Sequence, residues 1–297
     1  MRAAARLLVS LCLLAVAPRV VAAAEFACAE GVELRLSSPE SVQGGLLLVE
    51  VHSAQPLRQL KAAWVGQPLR FWQAGTADTQ RALVGVDLEQ EAGVFPLTVS
   101  AALDDGQRLV CSALVSVAEG KFALEELHVA RRFVELSRKD RERAERETQR
   151  LLAIFARATP ERLWAGGFRL PLEGVEASGN FGRRRVLNDE PRSPHTGEDF
   201  PAPAGTPVRA AQRGRVALAD NLFFAGNTVV LDHGLGLYTF YGHLESLAVK
   251  EGELVDAGAL LGRVGDTGRV TGAHLHWAVR LNRTRVNPLA LPEVLGD

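Results

Sequence analysis

Histidines crowd into one part of this chain. Five of the seven lie between residues 195 and 276, in short motifs. "HTGEDF" sets His195 four residues before Asp199, "FYGHLES" carries His243, and "GAHLHWAVRL" places His274 and His276 one residue apart in an apolar run. If that run is a strand, His274 and His276 share a face while Leu275 and Trp277 point the other way, because side chains alternate with period two. Imidazole nitrogens and a carboxylate oxygen suit a zinc ion, whose catalytic sites keep one coordination position open. Two histidines and one carboxylate leave a net positive charge, so the ion stays a strong Lewis acid and brings the ionisation of water toward neutrality. Each piece alone also fits a buried hydrogen-bonded histidine or a surface pair. The pattern is not HExxH, so no helix carries the ligands and no adjacent glutamate is the obvious base.

In combination and order, "HTGEDF", "YGHL" and "HLHW" resemble the lysostaphin/LytM-type zinc endopeptidases that cut peptidoglycan peptides. The surrounding text, including "PAPAGTPVRAAQRGRV" and "GNTVVLDHGLGLYTFYGHL", extends the likeness over roughly residues 166–292. The resemblance implies one Zn2+ ion held by His195, Asp199 and His276, with peptidoglycan as the partner. It implies that His243 and His274 are catalytic without ligating. One accepts a proton from water, and the other, or both, hydrogen-bonds the oxyanion. Which does which stays open. Every metal and catalytic position of the family is filled. That weighs against the second function considered, a non-enzymatic cell-wall binding regulator of other wall hydrolases. Asn180 and Arg184 in "SGNFGRRR" resemble the segment that borders the family's groove. With Tyr241 they are the substrate-binding candidates, Arg184 because a guanidinium forks onto a carboxylate. His233 in "LDHGLG" reads as structural, and Glu198, turned away from the ligands, as solvent-exposed. Intramolecular inhibition by the N-terminal region is a further expectation, since relatives use such blocking.

These side chains need elements to hold them. Residues 166–297 are strands separated by glycine turns, which predicts a mostly antiparallel sheet with a groove across it. Residues 25–121 alternate apolar and polar in about seven short stretches, with a hairpin turning at Asp105-Gly106, and predict an immunoglobulin-like β-sandwich that packs Trp64 and Trp72. Residues 122–165 predict a helical connector. Ten of the thirteen residues from Arg138 to Arg150 are charged. Ser137 with Asp140 resembles a helix start, Glu142 and Arg146 pair along it, and Leu151, Leu152, Ile154 and Phe155 dock its end. The expected fold is therefore mainly β: the N-terminal sandwich, the connector, and a C-terminal antiparallel-β peptidase domain.

Composition sets outer limits. The chain is 47% hydrophobic and 23% charged with a formal net charge of −1. That is globular material, without the basic surplus that nucleic-acid binding favours. Residues 1–24 have an arginine-bearing start, a short apolar run and a small-residue end, the pattern of a signal peptide cleaved after Ala24. No other long apolar run exists, so no membrane span is expected after signal cleavage. Cys12 leaves with the signal. Cys28 and Cys111 remain as an even pair in an exported, periplasmic protein and are expected to form a disulfide.

Overall fold

The computed structural model describes residues 23–103, 106–131 and 135–296. The body of the expected signal peptide and Asp105 of the expected turn lie outside the described residues.

Alternation drives the N-terminal half into sheets. The strand Arg108–Ala118 buries Leu109, Cys111, Ala113, Val115 and Val117 and exposes the residues between them. It runs antiparallel to Gly93–Ala102. Such a pattern presents one apolar face, and a one-residue slip would turn it to water. Two five-stranded sheets result. One orders its strands Ala24–Ala29, Val32–Leu36, Leu46–Ser53, Thr79–Gly85, Trp72–Gln73; the other Glu40–Val42, Arg108–Ala118, Gly93–Ala102, Arg58–Trp64, Gln67–Pro68. Their inner faces meet in one core that includes Leu34, Val49, Trp64, Leu97 and Val115. A Cys28–Cys111 disulfide crosses between the sheets.

The connector region holds one long helix, α1, Arg138–Phe155. Ser137 caps it, its Oγ accepting the Asp140 N–H at 3.1 Å. The ion pairs along it are Arg138–Glu142 and Arg143–Glu147, not Glu142–Arg146. The helix is also tied down by charge. Arg150 reaches Asp220 at 2.6 Å and Glu251 at 2.7 Å. Its last turn buries Ile154 and Phe155 against Leu218, Tyr238, Phe240 and Ala278.

The C-terminal sheet has nine strands among the described residues, all paired antiparallel. Its main path is Glu198–Phe200, Leu275–Leu281, Leu237–Leu247, Gly226–Gly234, Gly214–Leu222, Leu254–Val255. One face carries Tyr241 and Trp277 into the main core, while α1 covers part of the other. Among the described residues, no helix is long and apolar enough to cross a membrane.

Two features depart from expectation. Trp72 does not join the N-terminal core. It packs edge-on against Trp164 at 5.4 Å and, with Leu46 and Leu83, belongs to the apolar cluster beneath the nine-stranded sheet. The connector also contributes more than a helix. Leu124–Leu127 pairs in parallel with Arg184–Leu187, and both join Glu190–Pro191 in a small third sheet beside the histidines.

Candidate active site

Strand register delivers the first three side chains. Asp199 of Glu198–Phe200 pairs with His276 of Leu275–Leu281, so the two sit side by side on one face. His195 lies in the loop just before. Its Nε2 is 2.9 Å from His276 Nδ1 and 3.2 Å from Asp199 Oδ1, and His276 Nδ1 is 2.9 Å from the same oxygen. Gly197 makes room for this packing, since a Cβ there would stand 2.6 Å from His276 Cε1 and 2.6 Å from the Trp277 carbonyl oxygen.

The second nitrogen of His195 fixes how the cluster presents itself. His195 Nδ1–H donates to the Asn180 carbonyl at 3.1 Å, which leaves the Nε2 lone pair facing inward. Asn180 also grips the carboxylate. Its Nδ2 donates to Asp199 Oδ2 at 2.8 Å, and its Oδ1 accepts the Asp199 N–H at 3.0 Å. Burial pushes the Asp199 carboxyl upward, but hydrogen bonds and charge from His195 and His276 outweigh it and hold the group far below the usual range. Three lone-pair atoms within 4.8 Å of one another repel unless a cation or proton lies among them. Two imidazole nitrogens and one carboxylate oxygen are a donor set that zinc accepts.

His243 arrives by a different device. Asn227 pairs with Leu244 and Val229 with Tyr241, so Gly242 and His243 together face Thr228. That is a β-bulge, one extra residue that bends the strand and re-aims a side chain. His243 adopts φ 63°, held by its N–H donating to the Ala225 carbonyl at 2.7 Å. The ring then lies 4.9 Å from that of His274 and 5.9 Å from that of His276. His243 Nδ1–H donates to the Thr267 carbonyl at 2.9 Å, which leaves Nε2 as an acceptor. Burial, with His276 and His274 nearby, pushes its pKa down to about 3 and keeps the ring neutral. His274 makes the matching backbone bond, its Nδ1–H donating to the Gly272 carbonyl at 2.9 Å, with Nε2 at 3.7 Å from Asp199 Oδ1.

A groove crosses the cluster. One part, of volume ≈ 310 Å3, touches Leu127, Asn180, Asp199, His243 and His274. The other, ≈ 490 Å3, touches His195, Phe224, Phe240 and Arg269. A cavity of ≈ 560 Å3 at Ser53, Leu57 and Phe71 gathers no comparable set of donors.

The remaining expectations divide. Asn180 borders the groove but is buried, with its side chain committed to Asp199. Arg184 is exposed and lines neither part; its neighbour Arg185 does, reaching Asp199 Oδ2 at 3.4 Å. Tyr241 is fully buried on the opposite face, where its hydroxyl accepts the Ala211 N–H at 3.0 Å. It pairs with Trp277, and the period of the sheet puts both in the core. Glu198 faces away from the ligands but is buried rather than exposed. Its carboxylate accepts the Asn180 N–H at 2.9 Å and the Phe181 N–H at 3.2 Å, holding the turn that supplies Asn180. A glutamate in the three-residue stretch "EDF" gives no local sign of that duty. His233 is structural, between the Arg213 carbonyl at 2.8 Å and Thr239 Oγ1 at 2.7 Å.

Comparison with known proteins gives concordant matches. Residues 193–288 match the family described as Peptidase family M23. The DD-carboxypeptidase/endopeptidase Mpg of Neisseria meningitidis serogroup B is 40% identical over 127 residues, 42% of this chain and 29% of that protein. The peptidoglycan DD-endopeptidase ShyA of Vibrio cholerae serotype O1 is 42% identical over 113 residues, 38% of this chain and 26% of that one. The matches thus span under a third of the length of these curated relatives. A crystal structure of a candidate M23 peptidase from Pseudomonas aeruginosa aligns with TM-score 0.66 and 31% identity, covering 86% of this chain and 96% of that one.

Proposed function

The chain belongs to peptidase family M23, and from that premise we propose that it is an exported, zinc-dependent endopeptidase that hydrolyses peptide bonds of peptidoglycan, acting in the periplasm. The observation that carries this reading is the convergence of His195 Nε2, His276 Nδ1 and Asp199 Oδ1, with His243 and His274 beside them. His195, Asp199 and His276 would hold the ion. When bound, zinc supplies Lewis acidity toward a peptide carbonyl and toward water.

The chain's own side chains do the rest. Asn180 and the His195 tautomer orient the ligands. His243 and His274 each commit Nδ1–H to a backbone carbonyl, so each presents Nε2 to the groove. One takes the proton of the attacking water at that nitrogen, and the protonated ring then donates it to the leaving amine. The other takes a proton from bulk solvent at Nε2 and, through that N–H, hydrogen-bonds the oxyanion. The peptidoglycan assignment leans on the names of the curated relatives, and export on the disulfide and the N-terminal pattern. The N-terminal sheets we read as an immunoglobulin-like sandwich ending near residue 121, supported by two five-stranded sheets around one core. Restriction of the groove by the N-terminal region belongs to the same reading, supported by Glu125, Leu127 and Val129 on its wall.

Two substitutions test the division of labour. His276→Ala should lose both zinc, measured by atomic absorption, and cleavage of purified sacculi. His243→Ala should keep stoichiometric zinc and lose turnover by about a hundredfold or more. Normal hydrolysis by the His243→Ala protein removes that residue from the mechanism, and zinc without any cleavage by the parent chain favours the wall-binding regulator.

A further inference from the structure

Beyond His195 and His276 the groove widens into the part of ≈ 490 Å3, whose wall carries Arg185, Arg192 and Arg269 and no acidic residue. The proton transfers above use none of these arginines. Two of them already have partners. Arg185 donates from Nε to Glu125 at 2.8 Å and from Nη2 to Asp199 at 3.4 Å, and Arg192 pairs with Glu190. Arg269 differs: among the described residues, no carboxylate lies within ion-pair distance of it. Its guanidinium carbon stands 4.3 Å from the centroid of Phe224, whose carbonyl accepts the Arg269 N–H at 2.8 Å. The ring and this backbone bond hold the side chain at the groove wall.

The electrostatics make this a costly arrangement without an anion. Burial pushes the Arg269 guanidinium down to about 10, and the charges of Arg185 and Arg192 act in the same direction. With Arg185 and Arg192 already paired, the charge of Arg269 is left facing this half-enclosed space and favours an incoming negative group. Its size is limited by Phe224 and Phe240, and its nearness to the reacting carbonyl follows from His243, His276 and Arg269 lining the same space. The space that these two phenylalanines line suits a small anion carried on the peptide itself.

Building on the peptidase reading, we propose that Arg269 binds a carboxylate that the substrate carries on the residue next to the scissile peptide bond, and so selects wall peptides with a free carboxylate there. A guanidinium meets a carboxylate with two parallel N–H donors, a fit that an amide lacks.

The test uses the full-length zinc-loaded chain and two stem-peptide probes. Both carry a reduced, uncleavable amide at the scissile position; one has a free carboxylate on the next residue and its twin a carboxamide. Calorimetry should show the carboxylate probe binding about tenfold tighter to the parent chain. Arg269→Gln should shrink that preference to under about twofold, and Arg269→Lys should retain part of it. Thermal melts establish that the variants fold, and if either does not, the comparison of twins on the parent chain still decides. Equal binding of the twins, binding of neither, or an undiminished preference in Arg269→Gln overturns the proposal. A parallel hydrolysis assay with cleavable twins separates the two readings. Cleavage of both with equal KM sinks the Arg269 assignment and leaves the peptidase standing, whereas cleavage of neither removes the peptidase reading as well.

Discussion

His243 sits in a backbone conformation that costs an L-residue about 1 kcal/mol, and the bulge around it explains which neighbouring residues could be read from the sequence. In "FYGHL", period two places Tyr241 and His243 on one face. The inserted residue breaks that period, so His243 turns to the groove while Tyr241 stays with Trp277 in the core. The motif marks the histidine; only the register shows that its neighbour but one has left the site. Asn180 gives the sharper prediction at this scale. Both polar atoms of its side-chain amide are spent on Asp199, and we propose a positioning role for it in place of a substrate contact. Asn180→Ala should weaken zinc binding by about ten- to a hundredfold, read by competition with a coloured chelator. Under zinc saturation KM should hardly move. A raised KM with unchanged zinc affinity would return Asn180 to substrate binding.

Elements were legible in proportion to how local their cause is. Helix α1 follows from its Ser137 cap, its charged run and its apolar end, and all three are written in consecutive residues. The antiparallel hairpin of Gly93–Ala102 and Arg108–Ala118 follows from alternation. The parallel pairing of Leu124–Leu127 with Arg184–Leu187 spans some sixty residues, and neither stretch shows what it will lie beside. Trp72 is similar: its strand pattern is ordinary, and only the third dimension brings Trp164 against it. The disulfide was readable from arithmetic on the cysteines, and it belongs to this scale because it ties one sheet to the other. It closes a separation of 83 residues. Cys28→Ser with Cys111→Ser should cost about 2–5 kcal/mol, seen as a lower denaturant midpoint, and the parent chain under reductant should match it. Equal midpoints in all three would show that apolar packing alone holds the sheets.

For the whole molecule, the buried His233 links stability to acidity. The ring is fully buried with both nitrogens engaged, and burial pushes its pKa from 6.5 to about 4. The unfolded chain therefore binds this proton more readily than the folded one between those values. Stability should be full above pH 6.5, fall by about 3 kcal/mol as pH drops toward 4, and lose nothing more from this residue below that. Carboxylates held low, such as Asp87 beside Arg285, add their own loss only at still lower pH. Denaturant unfolding across pH 4–7 should show the slope in the parent chain and a flatter one in His233→Gln; identical slopes would assign the acid sensitivity elsewhere.

The packing of Leu46, Trp72 and Leu83 into the cluster beneath the nine-stranded sheet has a mechanical meaning. Asp87 reinforces the join by accepting from the backbone and guanidinium of Arg285 at 2.8 and 3.1 Å. The two halves thus meet through a shared apolar cluster and an ion pair rather than through a solvated linker alone. Under the peptidase function we propose, the distance from the outer sheets to the groove would act as a gauge, setting how far from anything those sheets hold the cut falls.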